Sequence, residues 1–427
     1  MDAGTSSERP YRRTINTRCC IVGGGPAGMM LGYLLGRAGV ETLVLEKHAD
    51  FFRDFRGDTV HPSTLQVMDE LGLIDGFLKL PHQRLQKMDG KFGAASIRIA
   101  DLSRLKVNYP FIAFMPQWDF LNFLRESGKR FSSLRVLMNA EATDLIWSSG
   151  GAVVGVQATT PDGAVEIRAD LTIGCDGRHS IVRERAGLEV EEIGAPMDVL
   201  WFRVSKGEES ESVFARVEVG KMMVTFDRGD YWQCAYVIAK GQYGAVKARG
   251  LDAFRDDVIS MAPILKSGIS DVKTWDDVKL LTVAINRLKR WTRAGVLCIG
   301  DAAHAMSPVG GVGVNLAVQD AVATANLLAA KLAIGCPDEN ELDAVRRRRE
   351  FPTRMTQAMQ VVAQNKIISV ALDSANRDLR VPLAVQLINA LPWLQGVTAR
   401  FVALGVRPEH VHSPASSDPR SSDGRPG

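Results

Sequence analysis

The length and composition of the sequence predict a globular protein of more than one domain. Its 427 residues are more than one hydrophobic core usually organises, and 46% of them are hydrophobic and 24% charged. The 52 basic and 49 acidic residues give a formal net charge of +3, which is too balanced to indicate a nucleic-acid-binding surface. The six cysteines form no CxxC pair and no zinc-ligand spacing, so we expect free thiols, no metal site and a cytoplasmic location.

The first structured segment is predicted to be a strand, a glycine-rich turn, a helix and a second strand. Residues 1–16 are polar and are expected to be disordered, and the run CCIVGGGPAGMM follows them. In this run Gly23 permits a tight turn, Gly25 lets a phosphate approach the backbone, and Gly28 allows the helix to pack closely on the strand. Glu46 ends the next strand, where its carboxylate can accept hydrogen bonds from a ribose. This context favours a dinucleotide site over an ordinary turn with a surface acid.

The same region contains an uncharged run with small residues at four-residue spacing. Residues 19–36 include Gly28, Gly32 and Gly36, a pattern that is typical of packed membrane helices. The run is short for a membrane span and is broken by Gly-Gly-Gly-Pro, so we expect no transmembrane segment here.

The central part of the chain carries a second candidate turn. Hydrophobic periodicity predicts two helices and then a series of short strands, over 61–73, 117–131 and 134–174. The last of these strands ends at Asp176-Gly177, with Ser180 shortly after it. Two interpretations remain open: a ligand site around Asp176, or an ordinary strand-to-helix turn in which Ser180 is the cap.

Residues 190–285 are predicted to be mostly β-structure, because apolar and polar residues alternate along them. Arg203, Phe226 and Trp232 are candidates for lining a substrate pocket in this segment. Plain core packing is the alternative for the two aromatic residues, and a surface salt bridge is the alternative for Arg203.

The stretch GDAAHAMSPVGGVGVNLAVQD, residues 300–320, is the third candidate site. Asp301 stands where a strand ends, so its carboxylate can accept hydrogen bonds from sugar-like hydroxyls. The glycines that follow, Gly310 to Gly313, precede a helix and would leave backbone amides bare for an electron-rich ligand edge. His304 is a candidate general base in the same stretch.

The remainder of the chain to about residue 405 is predicted to be helical. The arginines 346–349 are expected on a solvated helix face. Residues 380–405 are apolar enough to pack in the core or at a subunit interface, which would make a homodimer, and peripheral membrane contact is the open alternative. Residues 413–427 have the composition of a disordered tail.

Together and in this order, the three motifs resemble the class A FAD-dependent aromatic hydroxylases of the para-hydroxybenzoate hydroxylase type, over about residues 18–332. The resemblance implies an α/β fold, with a Rossmann-like FAD-binding domain of the glutathione-reductase type, an inserted β-rich substrate domain and C-terminal helices. The implied FAD-binding domain is discontinuous, over 17–78, 111–188 and 288–332. The implied substrate-binding sheet takes 79–110 and 189–287, and a C-terminal helical region takes 333–412.

The resemblance also implies which residues hold FAD without a covalent bond. Asp301 would bind the ribityl chain, Pro308 would lie beside the isoalloxazine ring, and the backbone of the Gly310–Gly313 loop and the next residues would hold the N1 edge. The implied cofactor-binding residues are Gly23, Gly25, Pro26, Ala27, Gly28, Glu46, Lys47, Arg56, Gln117, Ala142, Asp176, Asp301, Pro308, Gly311, Gly313, Val314 and Asn315. No catalytic side chain is implied, because the flavin carries the chemistry, and His304 would be a structural part of its turn.

The implied function is hydroxylation of an aromatic or polyketide-like small molecule. NAD(P)H, a transient co-substrate, would reduce the flavin, and O₂ would then form a flavin C4a-hydroperoxide. The alternatives are a flavin-dependent reductase or dehydrogenase on the same scaffold, and a flavin-binding protein without turnover. The related halogenases are not favoured, because their Trp-x-Trp-x-Ile-Pro motif is absent from the sequence.

Overall fold

The structure is a computed structural model, which describes residues 13–52, 59–207, 215–368, 372 and 381–416. The strands in this part of the chain are β1 (Arg13–Val22), β2 (Thr42–Glu46), β3 (Thr59–Val60), β4 (Gln83–Leu85), β5 (Lys87–Phe92), β6 (Ala95–Asp101), β7 (Ile112–Phe114), β8 (Leu134–Met138), β9 (Glu141–Trp147), β10 (Val153–Thr160), β11 (Gly163–Gly174), β12 (Val190–Glu192), β13 (Met197–Ser205), β14 (Ala215–Glu218), β15 (Lys221–Asp227), β16 (Tyr231–Ala239), β17 (Lys279–Leu281), β18 (Asn286–Leu288), β19 (Thr292–Arg293), β20 (Val296–Cys298) and β21 (His304–Ala305). The α-helices are α1 (Pro26–Arg37), α2 (Pro62–Glu70), α3 (Ile74–Phe77), α4 (Gln117–Gly128), α5 (Ile181–Arg185), α6 (Tyr243–Ala248), α7 (Leu251–Met261), α8 (Gly313–Ile334), α9 (Glu339–Ala363), α10 (Leu383–Ala390) and α11 (Pro392–Leu404).

The first sheet has a parallel core in the order β20-β11-β1-β2-β8, with β19 antiparallel at one edge. The antiparallel strands β10 and β9 extend from β11. Helix α1 packs against α4 and α8, and the buried strand β2 has no exposed residue. Sheets of parallel strands covered by helices carry ligands at the carboxyl ends of their strands. The predicted α/β fold is confirmed.

Helix α1 lies unusually close to the sheet because its inner face carries small residues. A Cβ on Gly32 would come within 2.7 Å of Val44, and a Cβ on Gly36 would come within 2.8 Å of Leu134. The four-residue glycine spacing therefore serves packing of the helix on β2 and β8. One described helical stretch, Val309–Ile334, is long and apolar enough to cross a membrane by length and composition, and 78% of its most apolar window is buried inside the protein.

The second sheet has the order β17-β13-β16-β15-β14-β5-β6 and is antiparallel except between β14 and β5. Its strands come from residues 87–101 and 197–281, which lie inside the two segments expected to form the substrate domain. One face of this sheet packs on Phe254 and Val258 of α7. The other face packs on Val309, in the loop before α8. The exact domain boundaries stay a prediction.

Both ends of the described chain differ from the predicted disorder. Strand β1 begins at Arg13, and Arg13 to Asn16 pair in parallel with residues 165–168. Near the other end, the Ser413 carbonyl accepts a hydrogen bond from Arg37, and the Ser416 N–H donates to the Arg37 carbonyl. The disorder prediction rested on the polar composition of these segments. It missed their hydrogen bonds because the partners are distant in the sequence. Residues 1–12 and 417–427 lie outside the described part.

The C-terminal helices contact the second sheet. Helices α10 and α11 pack on β6, and α11 also packs on α2. Large apolar side chains on their outer surfaces are nevertheless exposed: Leu383 is 77% exposed, Leu387 54% and Trp393 65%. Core packing therefore accounts for only part of the apolar character of this segment.

Candidate cofactor and active site

The three sequence motifs meet at the carboxyl edge of the parallel sheet. The Gly23 N–H donates to the Leu45 carbonyl at 2.8 Å, and the Cys175 N–H donates to the Val22 carbonyl at 2.7 Å. On the far side of β11, the Ile299 N–H donates to the Gly174 carbonyl at 3.0 Å. These bonds hold the ends of β1, β2, β11 and β20 side by side, so residues far apart in sequence share one edge.

The glycine loop between β1 and α1 is built to leave room in front of its second glycine. A Cβ on Gly23, whose φ is +105°, would lie 2.5 Å from the Cys175 carbonyl oxygen. A Cβ on Gly28 would lie 1.9 Å from the Gly23 carbonyl oxygen. A Cβ on Gly25 would meet nothing within 4 Å. The outer glycines are therefore required by the protein itself, whereas Gly25 faces open space.

The start of α1 completes this loop as an anion site. Gly25 is the N-cap residue and provides no side-chain cap, and Pro26 and Ala27 begin the helix. Uncapped N–H groups at a helix N-terminus and the positive end of the helix dipole both favour a phosphate group. The arrangement fits a pyrophosphate.

Glu46 is held in place at the end of β2. Its Oε2 accepts a hydrogen bond from the Gly24 N–H and its Oε1 accepts one from the His48 N–H, both at 3.1 Å. A carboxylate is an acceptor-only group with about four acceptor positions, which suits the hydroxyls of a ribose. Lys47, beside it, is exposed.

The predicted contact at Ala142 lies close to this end of the site. The Ala140 N–H donates to the Glu46 carbonyl at 2.9 Å, which ties the turn between β8 and β9 to the end of β2. Ala142 follows in β9, is 9% exposed and pairs with Ala158 of β10. Its role in contacting adenine stays a prediction.

The turn after β11 combines a cap with an unsatisfied acid. The Ser180 hydroxyl oxygen accepts a hydrogen bond from the Arg183 N–H at 3.0 Å, as the ordinary turn interpretation predicts. Asp176 Oδ2 accepts a bond from the Val182 N–H at 3.2 Å, whereas its buried Oδ1 has no hydrogen-bond partner within the described structure. Burial raises the pKa of Asp176. An orphaned buried acceptor at the sheet edge supports a ligand there.

Asp301 lies next to the Asp176 turn. It occupies a short 3₁₀ turn, Gly300–Ala302, and its side chain is 39% exposed. Arg178 Nε is 3.8 Å from Asp301 Oδ2. Arg183 strengthens the link, because its guanidinium donates to the Ala302 carbonyl at 3.3 Å. The Asp176 turn and the Asp301 turn are therefore brought together.

The loop before α8 forms the other end of the site. Pro308 precedes a turn in which Gly310 and Gly311 have φ angles of +80° and +63°. The Thr59 hydroxyl donates to the Gly311 carbonyl at 2.8 Å and fixes this turn. Helix α8 then begins at Gly313 without a side-chain cap, so its first amides and dipole end are available to a ligand.

Asn315 presents a buried donor near the start of α8. Its Oδ1 accepts hydrogen bonds from the His61 N–H at 3.0 Å and from the Thr64 hydroxyl at 2.6 Å. Its Nδ2 is buried without a partner in the part of the chain that the structure describes. Val314, beside it, is 7% exposed. The two bonds fix the amide orientation, so the orphaned group is a donor.

His61 is a residue that the sequence analysis missed. It is 1% exposed and precedes α2, and its Nδ1 lies 2.7 Å from the carbonyl oxygen of Val402 in α11. Burial lowers the pKa of His61 to about 4, against the opposing effect of the Val402 carbonyl. The ring is therefore neutral near pH 7 and donates from Nδ1. No local signal in the sequence points to Val402, 341 residues away.

His304 lies in a buried ion-pair network. Its Nε2 is 2.6 Å from Asp320 Oδ2, and Arg349 Nε is 2.9 Å from Asp320 Oδ1. Burial alone would raise the pKa of Asp320, but its close contacts with His304 and Arg349 hold that pKa below its usual value. This pairing supports the structural interpretation of His304. The expected solvated face is wrong for Arg349, which is 1% exposed because it pairs with Asp320 and Glu409.

The three candidate substrate residues do not share one environment. The Phe226 ring stacks on Trp201 with centroids 5.8 Å apart and packs edge-on to Phe114 at 5.2 Å, on the sheet face that also contacts Val309. Arg203 is exposed, with its guanidinium carbon 5.6 Å from the centre of the Tyr231 ring.

Trp232 is placed on the opposite face of the second sheet. It is 2% exposed and belongs to the cluster that packs on Phe254 of α7. The predicted pocket-lining role of Trp232 is therefore wrong. Residues 226 and 233 are paired across β15 and β16, so Trp232, one residue earlier, must point the other way.

Two further predicted cofactor contacts are Gln117 and Arg56. Gln117 is the first residue of α4 and is half-buried, and α4 packs on α1. Arg56 lies outside the described residues.

Comparison with known proteins agrees with this geometry. A model of the FAD binding domain family matches residues 16–359. The 6-methylpretetramide 4-monooxygenase of Streptomyces rimosus is 29% identical over 411 residues, which are 96% of this chain and 97% of that protein. The dialkyldecalin synthase of Streptomyces rugosporus is 28% identical over 319 residues, 71% of this chain and 63% of that protein. Among solved structures, the OxyS anhydrotetracycline hydroxylase of Streptomyces rimosus has a TM-score of 0.72 at 24% identity, and the match covers 92% of this chain and 77% of that one.

The chain belongs to the FAD-binding domain family and, within it, to the FAD-dependent hydroxylases and monooxygenases. FAD is its cofactor. The resemblance drawn from the three sequence motifs is thereby confirmed.

Proposed function

We propose that the protein is an NAD(P)H- and O₂-dependent monooxygenase that hydroxylates an aromatic or polyketide-like small molecule. One observation carries the proposal: residues of all three motifs meet along one sheet edge. Val309, in the third motif, packs on the face of the second sheet that carries Phe226 and Trp201, which we call the aromatic wall. The relative that matches nearly the whole chain is named as a monooxygenase of 6-methylpretetramide.

The described residues fit FAD from end to end. The open space at Gly25 and the uncapped start of α1 suit the pyrophosphate. Glu46 would hold the adenosine ribose, and Asp301 would hold hydroxyls of the ribityl chain. The orphaned donor Asn315 Nδ2 and the uncapped start of α8 suit the electron-rich edge of the flavin. When bound, FAD supplies the redox chemistry: it takes electrons from NAD(P)H and uses O₂ to transfer an oxygen atom to the substrate.

The chain itself would contribute electrostatics and shape. The backbone amides at the start of α8 would stabilise the negative charge of a reduced flavin, because donors fixed in place need no reorganisation as charge develops. Phe226 and Trp201 would offer an apolar face to a planar aromatic substrate and would exclude water from the ring. His304 takes no part in proton transfer in this scheme, since its Nε2 is held by buried Asp320.

The test is stopped-flow reduction of the FAD-loaded protein by NADH and by NADPH, with a panel of phenols and polycyclic aromatic polyketides. We expect at least one compound to accelerate reduction and to yield a product that carries oxygen from ¹⁸O₂. The hydroxylase proposal fails if no compound speeds reduction and no oxygenated product forms.

The same experiment separates the alternative functions. A reductase would consume NAD(P)H and change its substrate without oxygen uptake, and a flavin-binding protein without turnover would do neither. The second alternative, a flavin-binding protein without redox turnover, is included because one relative is named a dialkyldecalin synthase, a name that describes no oxygenation.

We propose further that the protein works in the cytoplasm on a diffusible small molecule and binds no nucleic acid. The exposed apolar side chains of α10 and α11 favour a surface contact there. The sequence predicts a second copy of the chain as the partner of this surface, with a membrane surface as the alternative, and both stay predictions.

A further inference from the structure

The inner face of α9, and the π-helical turn Gln364–Ile368 that continues it, carry buried glutamines. Gln357 and Gln360 of α9 are 1% and 5% exposed, and Gln364 is 0% exposed. Burying an amide side chain is costly unless its donors and acceptor are satisfied. A helix face that packs only for stability would carry apolar residues here, so the partners of these amides indicate what the face does.

Gln360 binds the backbone on both sides of Pro308. Its Oε1 accepts a hydrogen bond from the Ser307 N–H at 3.1 Å, and its Nε2 donates to the Ser307 carbonyl at 2.9 Å. Nε2 also donates to the Val309 carbonyl at 2.9 Å. Because one partner is a donor and two are acceptors, only an amide side chain of this length satisfies all three bonds.

Gln364 and Ser307 extend the same contact. Gln364 Nε2 donates to the Ser307 hydroxyl oxygen, which also accepts a bond from the Val309 N–H at 3.2 Å. Gln357, one helical turn before Gln360, binds other residues. Its Nε2 donates to the carbonyls of Asn286 at 2.8 Å and Ala305 at 3.1 Å. Gln360 and Gln364 therefore hold residues 307–309, and Gln357 holds the β18–β21 region.

The residues held by Gln360 lead directly into the ring-side loop. Pro308 lies between its two partners, and Gly310 and Gly311 follow with positive φ angles. Strand β21 ends at Ala305, so the described structure shows no strand pairing for residues 307–309. On the other side, the loop is fixed at Gly311 by Thr59.

We propose that Gln360, supported by Gln364, is a positioning residue that sets the place of Pro308 and the Gly310–Gly311 turn against the flavin ring. The inference rests on the proposed function for the ring, but the contact that it invokes belongs to the protein alone. Gln360 touches no reacting atom and acts through the backbone of Ser307 and Val309.

The experiment compares Gln360→Leu with Gln357→Leu, which removes a glutamine of the same face with a similar number of bonds. Amide hydrogen exchange is measured on the apoprotein over peptides that cover residues 307–311, and FAD affinity is measured by titration. We expect Gln360→Leu to speed exchange of this segment and to weaken FAD binding, each by about tenfold, since lost hydrogen bonds free the loop. Gln357→Leu should leave both within about threefold of the wild type.

Two further variants keep the test decisive. Gln364→Met should change exchange and affinity in the same direction as Gln360→Leu but less, and it serves if Gln360→Leu does not fold. Met359→Leu, at a 41% exposed position beside Gln360, should change neither. Equal effects of Gln360→Leu and Gln357→Leu on exchange and on FAD affinity would overturn the proposal. Wild-type protein that binds no FAD would instead defeat the proposed function, while the apoprotein exchange data would still decide whether Gln360 orders the loop.

Discussion

At the scale of single residues, Asp301 is the acid on which the cofactor assignment depends most. Its side chain is 39% exposed, and its contact with Arg178 Nε spans 3.8 Å, so removing it should cost the fold little. A carboxylate that accepts hydrogen bonds from ligand hydroxyls contributes about 1.5–3 kcal/mol. We therefore expect Asp301→Ala to fold normally but to bind FAD roughly 10- to 100-fold more weakly and to purify with little flavin.

The measurement for Asp301→Ala is the ratio of flavin to protein absorbance after purification, together with a thermal unfolding curve. Asp252→Ala is the matched control, because Asp252 is 91% exposed and pairs with Arg255 away from the site. Full yellow occupancy of Asp301→Ala would refute the role assigned to this acid.

The buried ring of His61 makes stability depend on pH. Its pKa is about 4 in the folded protein and about 6.5 for an unfolded histidine, so the folded state resists protonation. The stability that this neutral ring contributes is complete above about pH 6.5 and is lost as the pH falls toward 4, by about 3 kcal/mol in total. Asn in place of His61 cannot titrate and can still donate to the Val402 carbonyl.

The measurement is urea unfolding of the wild type and His61→Asn at several values between pH 7.5 and pH 4.5. We expect the free energy of unfolding of the wild type to fall relative to that of the variant across this range. Parallel pH profiles for the two proteins would contradict the burial assigned to His61.

At the scale of elements, the loop between β1 and α1 separates folding from ligand binding within a few residues. Gly25 has a φ of −72° and open space in front of it, so Gly25→Ala should leave the stability of the apoprotein nearly unchanged. The added methyl group would occupy the space taken by a pyrophosphate, so FAD binding should fall at least about tenfold. Gly28→Ala should instead destabilise the fold, because its Cβ would lie 1.9 Å from the Gly23 carbonyl oxygen.

Both variants are tested by chemical unfolding without FAD and by FAD titration. Gly244→Ala is the control, because Gly244 lies in α6 with nothing within 4 Å of an added Cβ. If Gly25→Ala binds FAD as well as the wild type, the phosphates do not lie at this loop.

The sequence predicted elements with strong local signals better than contacts between distant segments. The strand, glycine turn and helix around Gly23 could be predicted because each residue there answers a local requirement of the backbone. The sheet face on which Trp232 lies could not be predicted. Both faces of β16 are buried, so the sequence of the strand does not distinguish one face from the other. Arg349 and His61 were missed for another reason: their partners, Asp320 and Val402, come from other helices.

At the scale of the whole molecule, the candidate site is composite. The first sheet supplies the edge where Gly25, Glu46 and Asp301 lie, and the second sheet supplies the wall of Phe226 and Trp201. The start of α8 lies between them, since Val309 before it packs on the wall and Gly311 is tied to Thr59. A cofactor that reaches from α1 to α8 would therefore join segments that are separated by almost the whole FAD-binding region.

This arrangement predicts that FAD stabilises the protein more than either half of the cofactor does. A ligand that binds only the folded state at 100 times its Kd adds about 2.7 kcal/mol, which should raise the Tm of a chain of this length by roughly 3 °C. In the proposed placement of FAD, ADP would occupy only the end at Gly25 and Glu46, and riboflavin only the end at Gly311 and Asn315, so each should raise the Tm less than FAD at equal concentration. Thermal unfolding of the apoprotein with each ligand measures this order. A shift with ADP as large as that with FAD would mean that the loop before α8 adds nothing to binding, and the ring would then have to lie elsewhere.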